Sequence, residues 1–221
     1  MIVSVEYFSS WFLGLLSVLA AMCLVVALWQ APWRALLQKS ERQHALFAAW
    51  LSLVLMMKLQ VQWIDGITLH FLVMTTLVVI FGWSFSLIIG AAAQLLAGWW
   101  QQQLEWGMVV NFWLSSVVPA SVAYLVFRLI VRHKSNNLFI FLLGGGFFGA
   151  IVSLLLTLAV LLVFLLINGQ WEALDALFEN GLVVVLLCYS EGFINGLLVT
   201  AVTVFFPGIV KTFDEKKYLD S

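Results

Sequence analysis

Along this chain, long apolar runs alternate with short polar joints. Seven runs can be drawn, at about 11–29, 45–60, 67–81, 84–100, 110–131, 138–167 and 181–206. Most approach or exceed the roughly 20 apolar residues that let a helix cross a hydrocarbon core of about 30 Å. The runs are continuous, without dyad alternation, so the pattern predicts helices rather than barrel strands. No Pro/Ser linker, low-complexity tract or repeat interrupts them, and one transmembrane domain over 1–221 is expected. Runs three and four are the least separated, joined only by a tight turn near Gly82. The sixth run reads "LFIFLLGGGFFGAIVSLLLTLAVLLVFLLI". A straight helix of that length would reach about 45 Å. It must therefore tilt, bend near its glycines or project from the bilayer. Gly145 and Gly149 form a small-xxx-small pair that admits a neighbouring helix, with a hinge as the second reading.

Composition enforces the membrane reading. Of 221 residues, 64% are hydrophobic and 10% charged, against roughly 45–50% and about 25% for a soluble domain. The fold class expected is all-α and polytopic. The first run lacks a basic leader and ends in Trp29 and Trp33, unlike a cleaved signal peptide.

Charge then orients the helices. Arg34, Lys39 and Arg42 follow run one, Arg128, Arg132 and Lys134 close run five, and Lys211, Lys216 and Lys217 follow run seven. If all seven runs cross, only Lys58 among the lysines and arginines falls on the other side. The positive-inside rule places the N-terminus outside and the C-terminus in the cytoplasm of a cell (inner) membrane. Glu6, Asp65, Glu105, Glu172, Asp175 and Glu179 collect on the outer side.

Few residues are left to carry chemistry. His70, in "DGITLHFLVMTT", sits at the outer mouth of run three. A neutral imidazole ligates late transition metals and accepts protons, but at a boundary it also serves as an interfacial hydrogen-bonding group. Glu191, in "CYSEGFINGLLVT", lies near mid-bilayer, where an ionised carboxylate needs a partner. Asn195 is one turn on and Tyr189 is close by, so a polar stripe on run seven is expected to face the bundle. A supporting role for Glu191 implies that Glu191→Gln leaves folding and most ligand binding intact. Asn111, near the outer start of run five with Pro119 deeper in, matches His70 in depth. His70 and Asn111 are expected to line one outward-opening cavity, closed from above by the N-terminal segment.

Absences narrow the class. No phosphate-binding Gly-rich loop with Lys-Ser/Thr occurs, so the chain does not itself drive ATP hydrolysis. No His-Glu-x-x-His helix and no protease-like spacing occur either, and an intramembrane enzyme using His70 and Glu191 is the least favoured reading. Cys23 and Cys188 both lie inside apolar runs and read as small core residues. His44 and His133 lie among basic residues and read as solvent- or headgroup-facing.

The segments "GITLHF", "NFWLSSVVP" and "SEGFINGLLVTAVTVFFP" resemble, in that order, the membrane substrate-binding subunit of cobalt and nickel energy-coupling factor transporters, the CbiM/NikM family. The resemblance covers about residues 40 to 213. It implies no enzyme activity, Co2+ or Ni2+ as the transported ligand, and two kinds of partner: a transmembrane coupling subunit and cytoplasmic ATPases. It assigns metal-binding roles to His70 and the Met1 amine, with Asn111 beside them and Glu191 and Asn195 in support. Metal-binding members begin Met-His, whereas this chain begins "MIVSVEYFSS", with Ile2 in the histidine position and Glu6 as a nearby oxygen donor. The spacing of Ala45 and Ala49 offers a docking face for a partner helix. The alternative is a non-transporting membrane assembly or scaffold protein on the same helical frame.

Overall fold

The computed structural model describes residues 1–101, 105–132 and 137–213; His133, Lys134, Lys216 and Lys217 lie outside them. It is an all-α membrane fold with a small sheet at one end. The helices are α1 (Ser10–Gln30), α2 (Trp33–Leu37), α3 (Ser40–Met56), α4 (Met74–Phe81) and α5 (Trp83–Gln101). They continue with α6 (Met108–Phe112), α7 (Val118–Arg132), α8 (Gly149–Ile167), α9 (Trp171–Glu179) and α10 (Leu182–Phe205). A π-helical turn, Trp113–Val117, joins α6 to α7, and a π-helical segment, Ile140–Phe148, leads into α8.

Five helical stretches are long and apolar enough to cross a bilayer: Ser10–Gln30, Trp83–Trp100, Met108–Arg132, Ile140–Ile167 and Leu182–Phe205. Their outward surfaces carry large apolar side chains such as Trp11, Val18, Leu155, Leu186 and Phe205. In water this would be an aggregation surface; in lipid it is the solvent-matched face.

The expected second run is helical over most of its length, whereas the third takes another form. Residues 45–60 contribute most of α3, which ends at Met56. The run 67–81 is not one helix. Its first four residues are β3 (Ile67–His70), residues 71–73 are irregular, and only then does α4 begin. At about 1.5 Å per residue, the eight-residue α4 is far too short to cross a bilayer alone. All eight of its side chains are buried, among α5, α7, α8, α10 and the Ile140–Phe148 segment. The apolar character of this run thus records burial in protein.

Backbone that leaves the helix at membrane depth must find polar partners. For the extended part they are β-strands. β2 (Gln60–Ile64) and β3 form an antiparallel hairpin, and β1 (Ile2–Val3) adds to the free edge of β3, giving the order β1-β3-β2. Ile2 lies opposite Thr68 and Val3 opposite Ile67. Gly66 turns the hairpin at φ +72°, a conformation that suits glycine.

The long helices pack mainly as α7 on α8, α10 on the Ile140–Phe148 segment, and α1 and α3 on α5. Gly145 is where a side chain would collide with the Phe127 ring of α7. This fits the packing reading of the glycines. Ala45 and Ala49 on α3 lie partly buried against the chain's own core.

Candidate functional site

The sheet delivers the N-terminus to His70. Ser4 N–H donates to the Gly66 carbonyl at 2.7 Å, and Val3 N–H donates to Asn111 Oδ1 at 2.8 Å. β1 is therefore tied to the hairpin on one side and to α6 on the other. Met1, 1% exposed, is held with its amine against His70 Nε2. The amine also donates to Ser115 Oγ at 2.8 Å, and the Ser115 hydroxyl lies 2.9 Å from the Met1 carbonyl.

His70 is 5% exposed. Its Nδ1 lies 3.0 Å from the Phe71 carbonyl, so the tautomer that satisfies this bond carries its proton on Nδ1. That leaves the Nε2 lone pair facing the Met1 amine, with Ser115 Oγ at 3.4 Å. A cavity of about 40 Å³ opens beside this group, lined by Ile2, Met57, His70, Gln94, Met108 and Asn111 among others. A cavity needs roughly 10–15 Å³ to hold one water, so there is room for a small ion or a few waters and little more. A second cavity, of about 290 Å³, shares Ile2, Met108 and Asn111 with the first and adds Ser4, Gln60, Thr68 and Glu105. His70 and Asn111 thus line one cavity, and the N-terminal strand borders it.

Below the site, α10 holds the irregular segment that follows His70. Glu191, 2% exposed, accepts from Leu72 N–H at 3.0 Å and from Val73 N–H at 2.8 Å. Asn195 Nδ2 donates to the same carboxylate at 2.9 Å. Asn195 Oδ1 in turn accepts from the Thr76 N–H and hydroxyl, at 3.0 and 2.8 Å. The polar pair sits where the chain between β3 and α4 has no regular partners. Val73 adopts φ +53°, unusual for a β-branched residue. The two carboxylate bonds on either side of the Leu72–Val73 peptide hold that strained residue in place.

Several sequence expectations divide here. Met1, His70 and Asn111 come together, and Glu191 and Asn195 face the bundle as a pair. Tyr189 does not join them: at 64% exposed it faces outward, stacked on Phe193. Glu6 is exposed in the short turn after β1 and does not line the cavity. Ser115 belongs to the site although the sequence did not single it out. It lies four residues after Asn111, on the same helical face, in a π turn of the kind that often marks functional positions. Among the described residues, no group of three or more His, Cys, Asp or Glu side chains is placed to hold a metal ion. At the hairpin tip the Tyr7 hydroxyl donates to the Asp65 carbonyl. Burial pushes this phenol up, and the nearby Asp65 and Glu6 charges add to the shift.

The family model for the cobalt uptake substrate-specific transmembrane region, CbiM, matches residues 3–209. The chain belongs to the CbiM family. This is a family of multi-pass membrane components of transport rather than of enzymes, and the match spans α1 to the end of α10, including His70, Asn111, Glu191 and Asn195. A search of curated proteins returns no match.

Proposed function

We propose that this chain is the membrane-embedded capture subunit of an energy-coupling factor importer, and that its cargo is a small transition-metal cation, cobalt or nickel. The observation that carries this reading is the convergence of the Met1 amine, His70 Nε2 and Ser115 Oγ beside a cavity of ionic size. Two nitrogen donors at one point suit a late divalent metal. The amine and imidazole touch each other, so an entering cation would replace their mutual hydrogen bond and take both lone pairs. Asn111 would act by fixing β1, since its oxygen already accepts from Val3. Energy would come from partner subunits, a coupling protein and ATPases, because this chain carries no nucleotide-binding loop.

Metal analysis of the purified chain tests the reading. Loaded with Co2+ or Ni2+ and washed, the protein should retain about one ion per chain, and His70→Ala should lose it while keeping the native thermal transition. Equal retention by both proteins sinks the site.

A second reading has its own observation. Ile2 lines the cavity where metal-binding members carry histidine, which favours a non-transporting assembly or scaffold protein on the same frame. Absence of retained metal under all loading conditions, together with stable co-purification of a membrane partner, would support it.

A further inference from the structure

A cavity at the opposite end of the bundle is unrelated to the Met1–His70 group. It measures about 510 Å³ and is lined by Gln30, Trp83, Ser84, Tyr124, Arg128 and Lys211, with Val78, Phe127 and Val131 as apolar wall. Its place in the bundle follows from the helices. α1 begins near the N-terminal strand and ends at Gln30. α5 begins at Trp83 and runs to Ala97 and Gly98, which line the small cavity beside His70. The Met108–Arg132 stretch starts at Asn111's end and finishes past Arg128. Three membrane-crossing helices therefore each place one end at the metal-site side and the other at this cavity. It lies at a membrane–water boundary.

Among the described residues the lining is one-signed: none of them is acidic, and neither Arg128 nor Lys211 forms an ion pair there. Lys211 is not loosely placed. Its backbone N–H donates to the Ile80 carbonyl at 2.9 Å, and the neighbouring Thr212 hydroxyl donates to the Val79 carbonyl at 2.9 Å. These bonds satisfy the last turn of α4 and fix the ammonium over Gly82. A Lys211 that merely complemented the α4 dipole would need no second cation. Arg128, from a different helix, supplies one across an open cavity. Tyr124 and Ser84 add hydroxyls, and the Trp83 ring, anchored by its N–H to Ser121 Oγ at 3.0 Å, is the amphipathic side chain that settles at headgroup depth. The cavity's size lies within the roughly 300–1,000 Å³ usual for ligand sites.

We propose that this cavity is a binding site for an anionic phospholipid, whose phosphate is held between Arg128 and Lys211 and whose acyl-chain roots lie on Phe127 and Val131. Basic pockets between transmembrane helices take anionic headgroups because the phosphate neutralises cations that would otherwise sit unpaired at a low-dielectric boundary. A soluble anion lacks the hydrocarbon that the apolar wall matches. The proposal does not depend on the cargo or on the importer reading.

The test uses the full chain in a non-ionic detergent, titrated with phosphatidylglycerol or phosphatidylcholine and read by native mass spectrometry. Phosphatidylglycerol should be retained at least tenfold better than phosphatidylcholine. The double variant Arg128→Gln/Lys211→Gln should abolish that preference, while Arg128→Lys keeps it and the thermal transition of all three proteins stays in place. Should the double variant fail to fold, raising salt on the unmodified chain must erode the preference for phosphatidylglycerol. Equal retention of the two lipids, or a preference that survives both the double variant and high salt, overturns the proposal. Displacement of phosphatidylglycerol by millimolar inorganic phosphate would also overturn it, by making the site one for free anions. So would displacement by an acidic peptide, which would make it a protein-docking site.

Discussion

At the residue scale, the informative position is Ile2. Its backbone is locked opposite Thr68, and its side chain lines the small cavity beside His70. A histidine there would bring a further nitrogen donor to the Met1 amine and His70 Nε2 without moving the strand. Ile2→His is therefore expected to tighten Co2+ or Ni2+ binding by at least about tenfold, the lower end of what changes around a metal site usually produce. Calorimetry on the two proteins checks it, and unchanged affinity would mean that residue 2 does not reach the metal. A complementary experiment extends the chain by two residues ahead of Met1. Its amine is fully enclosed and bonded to Ser115 and His70, so the extension should abolish metal retention, whereas the same residues added at the C-terminus should not. Only the family resemblance pointed to the Met1 amine, whereas His70 and Asn111 were legible because a polar group beside a long apolar run is conspicuous. Ser115 was not. Serine is ordinary in membrane helices, and only the β1 strand, two residues long and ahead of the first apolar run, reveals what its hydroxyl meets.

The same difficulty operates on whole elements. An apolar stretch reads alike whether lipid or protein surrounds it, so "ITLHFLVMTTLVVIF" gives no sign that it begins as a strand and ends as a buried helix. The compensating residues are readable: Glu191 and Asn195 stand on α10 because the Leu72–Val73 turn and the start of α4 need acceptors. The structure changes what Glu191 substitutions should do. All three of its partners donate, and both oxygens accept. Glutamine has a single accepting oxygen, so in Glu191→Gln an amide N–H₂ faces a buried backbone N–H. The exchange that the sequence suggests is neutral should cost about 1–3 kcal/mol, the usual penalty for leaving a buried donor unmet. Glu191→Leu, which removes every acceptor, should cost at least as much and loosen the segment carrying His70. Thermal unfolding in detergent with parallel metal retention measures both effects. If Glu191→Gln unfolds like the unmodified chain, the carboxylate is not what holds residues 71–73.

At the scale of the whole molecule, the sidedness of charge is the remaining quantity to fix. Most of the expected helical frame is visible in the sequence because run length reports bilayer thickness directly. Orientation rests on a weaker signal, the distribution of lysine and arginine. The structure sharpens the experiment by identifying exposed reporters at either end. Asp175 is exposed on α9, a short amphipathic helix packed beneath the hairpin at the His70 end. Lys39 is exposed between α2 and α3, in the basic segment that follows α1. Both lie outside the five crossing stretches. If the basic end faces the cytoplasm, as the positive-inside rule requires, Asp175→Cys in intact cells reacts with a membrane-impermeant maleimide and Lys39→Cys reacts only after lysis. Both variants are made in a background with Cys23 and Cys188 replaced by alanine, since each native thiol is partly accessible. The outcome also bears on cargo direction. Labelling of Asp175 from outside puts the Met1–His70 cavity where an importer must first meet its ion. Labelling of Lys39 alone would place that cavity toward the cytoplasm and leave a capture role without access to its substrate.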